Sequence, residues 1–201
     1  MRPPPTPTQT LEADLAAAIK AGDSTRIDHL GAQLEQNPPQ PPASILAAAL
    51  WYATLGLRIF PLQPHTKLPL KGCKWAAEAC SDPATIRQWW TVTPDANVAI
   101  TTGHIVDVID IDGPLGQVWH YSKPDMNDQL GVVGVVSTPR PGGQHLYVPA
   151  TGLGNKAGRW PGVDYRGTGG YVVAAPSHNE QGAYRFLHPL DPTKLTSQAA
   201  S

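Results

Sequence analysis

Cysteine is scarce in this sequence, with 2 residues in a chain of 201. Two thiols cannot build a disulfide framework, nor alone supply the four ligands of a structural zinc site, so nothing points to an oxidising compartment. Cys73 and Cys80 have His65 nearby but no fourth ligand at matching spacing. Long apolar runs are missing too. The longest, from Ile45 to Leu62, is broken by Gly56, Arg58 and Pro61 and reads poorly as a membrane span. The opening MRPPPTPT has no apolar core of the kind a secretory leader needs. The expected location is therefore cytoplasmic, with no membrane partner. An excess of either charge is also lacking: 15 Lys and Arg stand against 16 Asp and Glu. That balance argues against a basic domain that grips nucleic acid by charge alone, so any functional reading must rest on local arrangement. The sequence has no G-x-x-x-x-G-K-[ST] loop, no Ser/His/Asp nucleophile arrangement and no repeat of fixed period.

Proline (22) and glycine (19) are plentiful, which favours loops and short elements. Residues 1–9 are Pro-rich and are expected to be disordered. Residues 10–36 are expected to form a helical pair, with Gly22 closing the first helix and Asp23 or Ser24 capping the second. NPPQPPA (37–43) reads as a stiff linker, 44–190 as the main domain and 191–201 as a tail. In the main domain Ser44 caps a helix that runs to Leu55, and Asp82-Pro83 opens another. Of the adjacent Trp89 and Trp90, at most one can face outward. LRIFPL, NVAITT, HIVDVIDID, VVGVVST, QHLYVP, GVDYRG, YVVAAP and AYRFL read as strands, and GPLGQVWHY as a helix. The glycine-rich 167–170 predicts a hairpin joining GVDYRG to YVVAAP. Strands with interspersed helices predict an α+β fold.

Side chains alternate along a strand, so Asp110 and Asp112 share a face, about 7 Å apart along the backbone. Two like charges there repel unless a cation neutralises them, and oxygen-only ligands suit Mg²⁺ or Mn²⁺. The plainer reading is a strand that ends in a polar turn. Asp107, of opposite parity, is expected at the strand's exposed beginning. His145 follows a Gly-Gly turn on its strand, where a structural role competes with ligand binding. Asp164 and Arg166 share a face beside glycines, where a surface ion pair is the competing reading. Together these segments place three acids with basic groups, a layout suited to metal and phosphate.

The ordered segments GLRIFPLQPHTKLPL, DPATIRQWWTVTPDANVAITTG, VIDIDGPLG, STPRPGGQHLYV, GVDYRGTGGYVVAAPS and GAYRF carry a resemblance. From Ser44 to Leu187 the chain resembles the bifunctional DNA primase/polymerase N-terminal (prim-pol) domain. This is a branch of the archaeo-eukaryotic primase superfamily found in plasmid, phage and mobile-element replication proteins. The resemblance implies mixed and antiparallel sheets around an acidic catalytic cleft, the small N-terminal helical element lying outside that pattern. It also implies a DNA primase/polymerase whose metal ligands are Asp110, Asp112 and Asp164. His145 would contact the phosphates of the incoming nucleotide. Where the superfamily often has Ser-x-His, this chain has Gly143 two residues before the histidine.

Arg166, Lys67 and Ser177 are further candidates for nucleotide binding, with His178 a weaker one. Lys71, Lys74, Arg159 and Trp160 are candidates for the template strand, through phosphate pairing and base stacking. The partners implied are nucleoside triphosphates and a single-stranded DNA template with its primer, besides a helicase or other replication protein. Two other classes use the same residues: a non-catalytic binding module, and a metal-dependent nuclease.

Overall fold

The computed structural model describes residues 44–123 and 125–196, together with 14, 17, 18, 20–26, 29, 30 and 42. Expectations for 1–9, for the remainder of 10–36 and 37–43, and for 197–201 lie outside the described residues. The chain divides into two compact units, Met1–Pro41 and Pro42–Ser201. In the first, residues 20 and 21 are helical, Gly22 turns the chain with φ 69°, and helix resumes at Ser24. Asp23 is the cap: its carboxylate accepts from Arg26 N at 3.1 Å.

The second unit opens with α1 (Ile45–Thr54), capped by the Ser44 hydroxyl, which accepts from Ala47 N. Its Ala48, Ala49, Tyr52 and Ala53 are buried at helical spacing. Next come β1 (Ile59–Leu62), α2 (Trp75–Glu78) and α3 (Pro83–Val92). Asp82 caps α3 through Thr85 N, with proline at the favoured first turn. Trp90 is buried and donates to Ala96 O at 2.9 Å, while Trp89 is half-buried. Then follow β2 (Asn97–Thr101), β3 (Val106–Ile111), α4 (Gly113–Tyr121), α5 (Met126–Gln129), β4 (Gly134–Ser137) and β5 (Gln144–Pro149). The chain continues through β6 (Lys156–Trp160), β7 (Val163–Arg166), β8 (Tyr171–Val173), β9 (His178–Asn179), β10 (Gly182–Ala183), β11 (Arg185–His188) and α6 (Pro192–Thr196). This is an α+β fold.

Two sheets matter. Three strands pair in the order β1-β2-β8 and six in the order β11-β4-β5-β3-β7-β6, and every pairing is antiparallel. One face of β3 and β5 contributes Val106, Val108 and Tyr147 to the larger core, with α1, α3 and the three-stranded sheet. The other face packs Ile109, Ile111, Leu146, Val148, Val163 and Tyr165 into a second core with Trp119 and Trp160. Fully burying one such aliphatic or aromatic side chain contributes about 1.5–3 kcal/mol. Among the described residues no helix is long and apolar enough to cross a membrane.

Two expectations are corrected. Segment 167–170 is not a hairpin: β7 belongs to the six-stranded sheet and β8 to the three-stranded one. The segment crosses between them, held by Thr102, whose hydroxyl donates to Gly167 O at 2.7 Å and whose N–H donates to Gly170 O at 3.0 Å. Asp107 is not exposed but wholly buried. Its Oδ2 accepts from Thr151 N at 2.8 Å, Thr151 Oγ1 at 3.0 Å and Tyr165 Oη at 2.5 Å. These donors replace the water that Oδ2 loses on burial, whereas the buried Oδ1 has no hydrogen-bond partner among the described residues.

Asp107→Ala removes the acceptor shared by three donors; Thr151 Oγ1 and Tyr165 Oη, 2.7 Å apart, can still pair with each other, and stability should fall by about 2 kcal/mol, measured by urea unfolding. Burial first, and then the bond to Asp107, push the Tyr165 phenol from 10.0 up to about 12. The folded state thus holds this proton more tightly than the unfolded chain. The resulting stability is complete below pH 10 and should be lost as pH rises toward 12. Tyr165→Phe should flatten that limb of the stability–pH curve.

Candidate active site

The central strand β3 sets the site. Asp110 lies directly opposite His145 of β5 on one side and Asp164 of β7 on the other. One residue pair along, Val108 faces Tyr147 and Arg166. Antiparallel register therefore delivers two acids, the histidine and the arginine to one face at one end of the sheet. Asp112 follows at the N-cap of α4 and joins them. Asp110, Asp112 and Asp164 each offer an oxygen lying within 4.8 Å of the others.

The placement of Asp112 is built by close backbone contact. Its N–H donates to Gly162 O at 2.8 Å. A Cβ on Gly116 would stand 2.3 Å from that same oxygen, and one on Gly162 would stand 2.5 Å from Gly116 N. Only glycine at both positions lets α4 settle against the turn between β6 and β7. Ser44, Asp23 and Asp82 all cap their helices, but the Asp112 side chain makes no capping bond. A capping bond is worth about 1 kcal/mol. Asp112 forgoes it and turns its carboxylate to Arg140 Nη1, at 3.0 Å.

Basic groups ring the acids. Arg166 Nη2 donates to Asp164 Oδ2 at 2.7 Å and lies 3.4 Å from Asp110 Oδ2. Asp164 Oδ1 accepts from Gly158 N at 2.7 Å. His145 Nε2 lies 3.5 Å from Asp110 Oδ1, and burial lowers the histidine's proton affinity against the pull of Asp110. Burial, followed by the charge of Asp110, raises the Asp112 pKa above its usual value, opposed by Arg140 and Lys67. Like-charge crowding of this kind is what a bound cation relieves.

Lys67, Asp110, His145, Arg166, Tyr171, Val172, Val173 and Tyr184 line one cleft. The Lys67 loop is clamped there. Wholly buried Asn97 donates to Thr66 O at 3.1 Å and to His178 O at 2.7 Å, and accepts from His178 N at 3.1 Å. Tyr171 Oη donates to Lys67 O at 3.1 Å.

Other sequence candidates fall elsewhere. Ser177 does not line the cleft; it is buried, and its hydroxyl accepts from Val98 N at 2.9 Å and reaches Val98 O at 3.3 Å. His178 packs edge-on against His65, with ring centroids 4.6 Å apart. Lys71 and Lys74 are exposed near Trp75, whose ring is already stacked on Phe60. Arg159 lies over the Trp160 ring, which itself stacks on Trp119 at 4.6 Å. They lie on β6, a strand absent from those expected from the sequence. Sequence reasoning missed Arg140, Tyr171 and Tyr184. The basic residue in the STPRPGG turn was a signal for the first, whereas the two tyrosines converge only through the fold. At Gly143 a Cβ would meet Thr138 Oγ1 at 2.2 Å, so the threonine hydroxyl fills the space a serine there would need.

One acid on a central strand, a second on the neighbouring strand and a third at the helix start that follows form a group that could hold a metal ion, with basic side chains around it. The family model for the N-terminal domain of bifunctional DNA primase/polymerase matches residues 49–198, and the chain belongs to this family. Among curated proteins, none matches the chain closely enough to count as a relative. The family is one of metal-dependent nucleotidyltransferases of the DNA primase/polymerase type.

Replacing Asp112 by Asn removes one of the crowded charges and should raise stability in metal-free buffer. Over a third of this side chain is exposed, so solvent screening limits the gain to roughly 0.5 kcal/mol. Urea midpoints of the two proteins in EDTA at pH 7 measure it.

Proposed function

We propose that this chain is a DNA-directed nucleotidyltransferase that extends, or starts, strands on a single-stranded DNA template. The observation that carries this reading is the three-carboxylate cluster at 4.8 Å, ringed by Arg140, Arg166 and Lys67. The donor set fits Mg²⁺ or Mn²⁺: hard oxygen ligands on rigid elements, with a capping bond forgone to present one of them. Asp110, Asp112 and Asp164 would hold the ions. When bound, a pair of such ions supplies charge at the α-phosphate and leaving pyrophosphate and lowers the pKa of the attacking 3′-hydroxyl.

The chain's own residues do the remainder. Arg166 presents a planar fork and Lys67 a point charge to the triphosphate oxygens. His145, on the cleft wall beside Asp110, contacts the phosphates of the incoming nucleotide. Ser177 takes no part, because its hydroxyl is spent on Val98. Lys71, Lys74, Arg159 and Trp160 are proposed contacts for the template. The setting is cytoplasmic replication of a plasmid, phage or other mobile element, with a helicase or another replication protein as partner.

A labelled primer annealed to single-stranded DNA, with Mg²⁺ or Mn²⁺ and either triphosphate type, tests the reading. The wild type should lengthen the primer. Asp110→Ala should reduce incorporation by about 10³-fold or more, with an unchanged circular dichroism spectrum. Shortening of the label would replace this reading with a nuclease, and binding without any change in length would replace it with a non-catalytic module.

A further inference from the structure

Among the described residues Arg140 is the one basic side chain that pairs with Asp112, and its place in the fold gives that contact a direction. The arginine stands on the turn between β4 and β5. That turn is fixed by its backbone: Gly143 N donates to Arg140 O at 2.8 Å and Thr138 N to Gly143 O at 3.0 Å. The side chain is 55% exposed, so it can swing without disturbing a core. The Asp112 carboxylate, released from capping α4, has this guanidinium as its only ion-pair partner among the described residues.

A cation entering the cluster meets the guanidinium at ion-pair distance from one of its own ligands. The two positive charges compete for the same oxygen, so a cation that arrives alone must break the pair and leave Arg140 without an acceptor. A cation that arrives with a polyphosphate brings new oxygens, which a planar guanidinium fork accepts well. Resting on the reading of the three acids as a cation site, we propose that Arg140 is a counter-ion latch on Asp112. It makes the binding of a divalent cation and of a polyphosphate mutually dependent. The cleft then discriminates against bare metal and takes the metal–triphosphate pair. Such coupling is reciprocal: each ligand tightens the other by the same factor.

Mn²⁺ binding, followed by electron paramagnetic resonance with and without inorganic pyrophosphate and corrected for Mn²⁺–pyrophosphate complexes in solution, tests this. In Arg140→Gln, Mn²⁺ alone should bind about fivefold more tightly, the low end of typical couplings because the pair is half-exposed. The enhancement by pyrophosphate expected of the wild type should fall by a similar factor in this variant, the remainder coming from Arg166, Lys67 and the ion itself, and Arg140→Lys should restore part of it. Lys67→Gln removes a nearby charge that forms no ion pair with these acids, and should tighten Mn²⁺ less. The latch is overturned if Arg140→Gln binds Mn²⁺ no more tightly, if Lys67→Gln matches it, or if the pyrophosphate enhancement is undiminished in Arg140→Gln. Mn²⁺ binding that Asp112→Asn leaves unchanged would instead overturn the cation-site reading itself, and the latch with it.

Discussion

Mutual repulsion among three carboxylates is the constraint around which this domain is organised. Asp110, Asp112 and Asp164 present oxygens within 4.8 Å of one another, a spacing at which isolated like charges drive a protonation or a rearrangement. Backbone register holds them together against that force. Two neighbours of β3 fix Asp110 opposite Asp164 and His145, and the Gly116–Gly162 contact pins the start of α4 behind Asp112. The hydrophobic cores on both faces of the sheet supply the stability that this local crowding draws on.

Asp107 shows what the same residue type does where no ligand is expected. Three positions before Asp110, on the opposite face, it is wholly buried and saturates one oxygen with three donors from the protein. The site acids differ in kind. They remain partly exposed, their counter-charges come from long side chains at the cleft edge, and one of them leaves a helix end uncapped. Structural acids find fixed neutral donors, whereas the acids of the cleft face side chains that can be exchanged for other cations.

Much of this was legible in the sequence, because strand periodicity is rigid. Alternation alone paired Asp110 with Asp112, and Asp164 with Arg166, each on one face of its own segment, and capping residues marked α1 and α3. Other features were illegible for physical reasons. Parity assigns a face but does not say whether anything covers it, so Asp107 read as exposed. A glycine-rich turn looks the same whether its strands pair with each other or join different sheets, which is why 167–170 misled. Tyr171 lies on β8 of the three-stranded sheet and Tyr184 between β10 and β11, so alternation along β3 and β7 does not reach them, and only the fold brings them to the cleft. Ser177 sits at a suggestive strand end, yet its hydroxyl is claimed by Val98.

The Asn97 clamp has a thermodynamic meaning. By bonding Thr66 and both backbone groups of His178 from a buried position, it freezes the loop that carries Lys67 while the domain folds. The chain entropy of that loop, about 1–2 kcal/mol per residue fixed, is thus surrendered before any guest arrives. Encounter with a charged guest then costs little beyond the rotamers of the lysine itself, and association can be fast as well as selective.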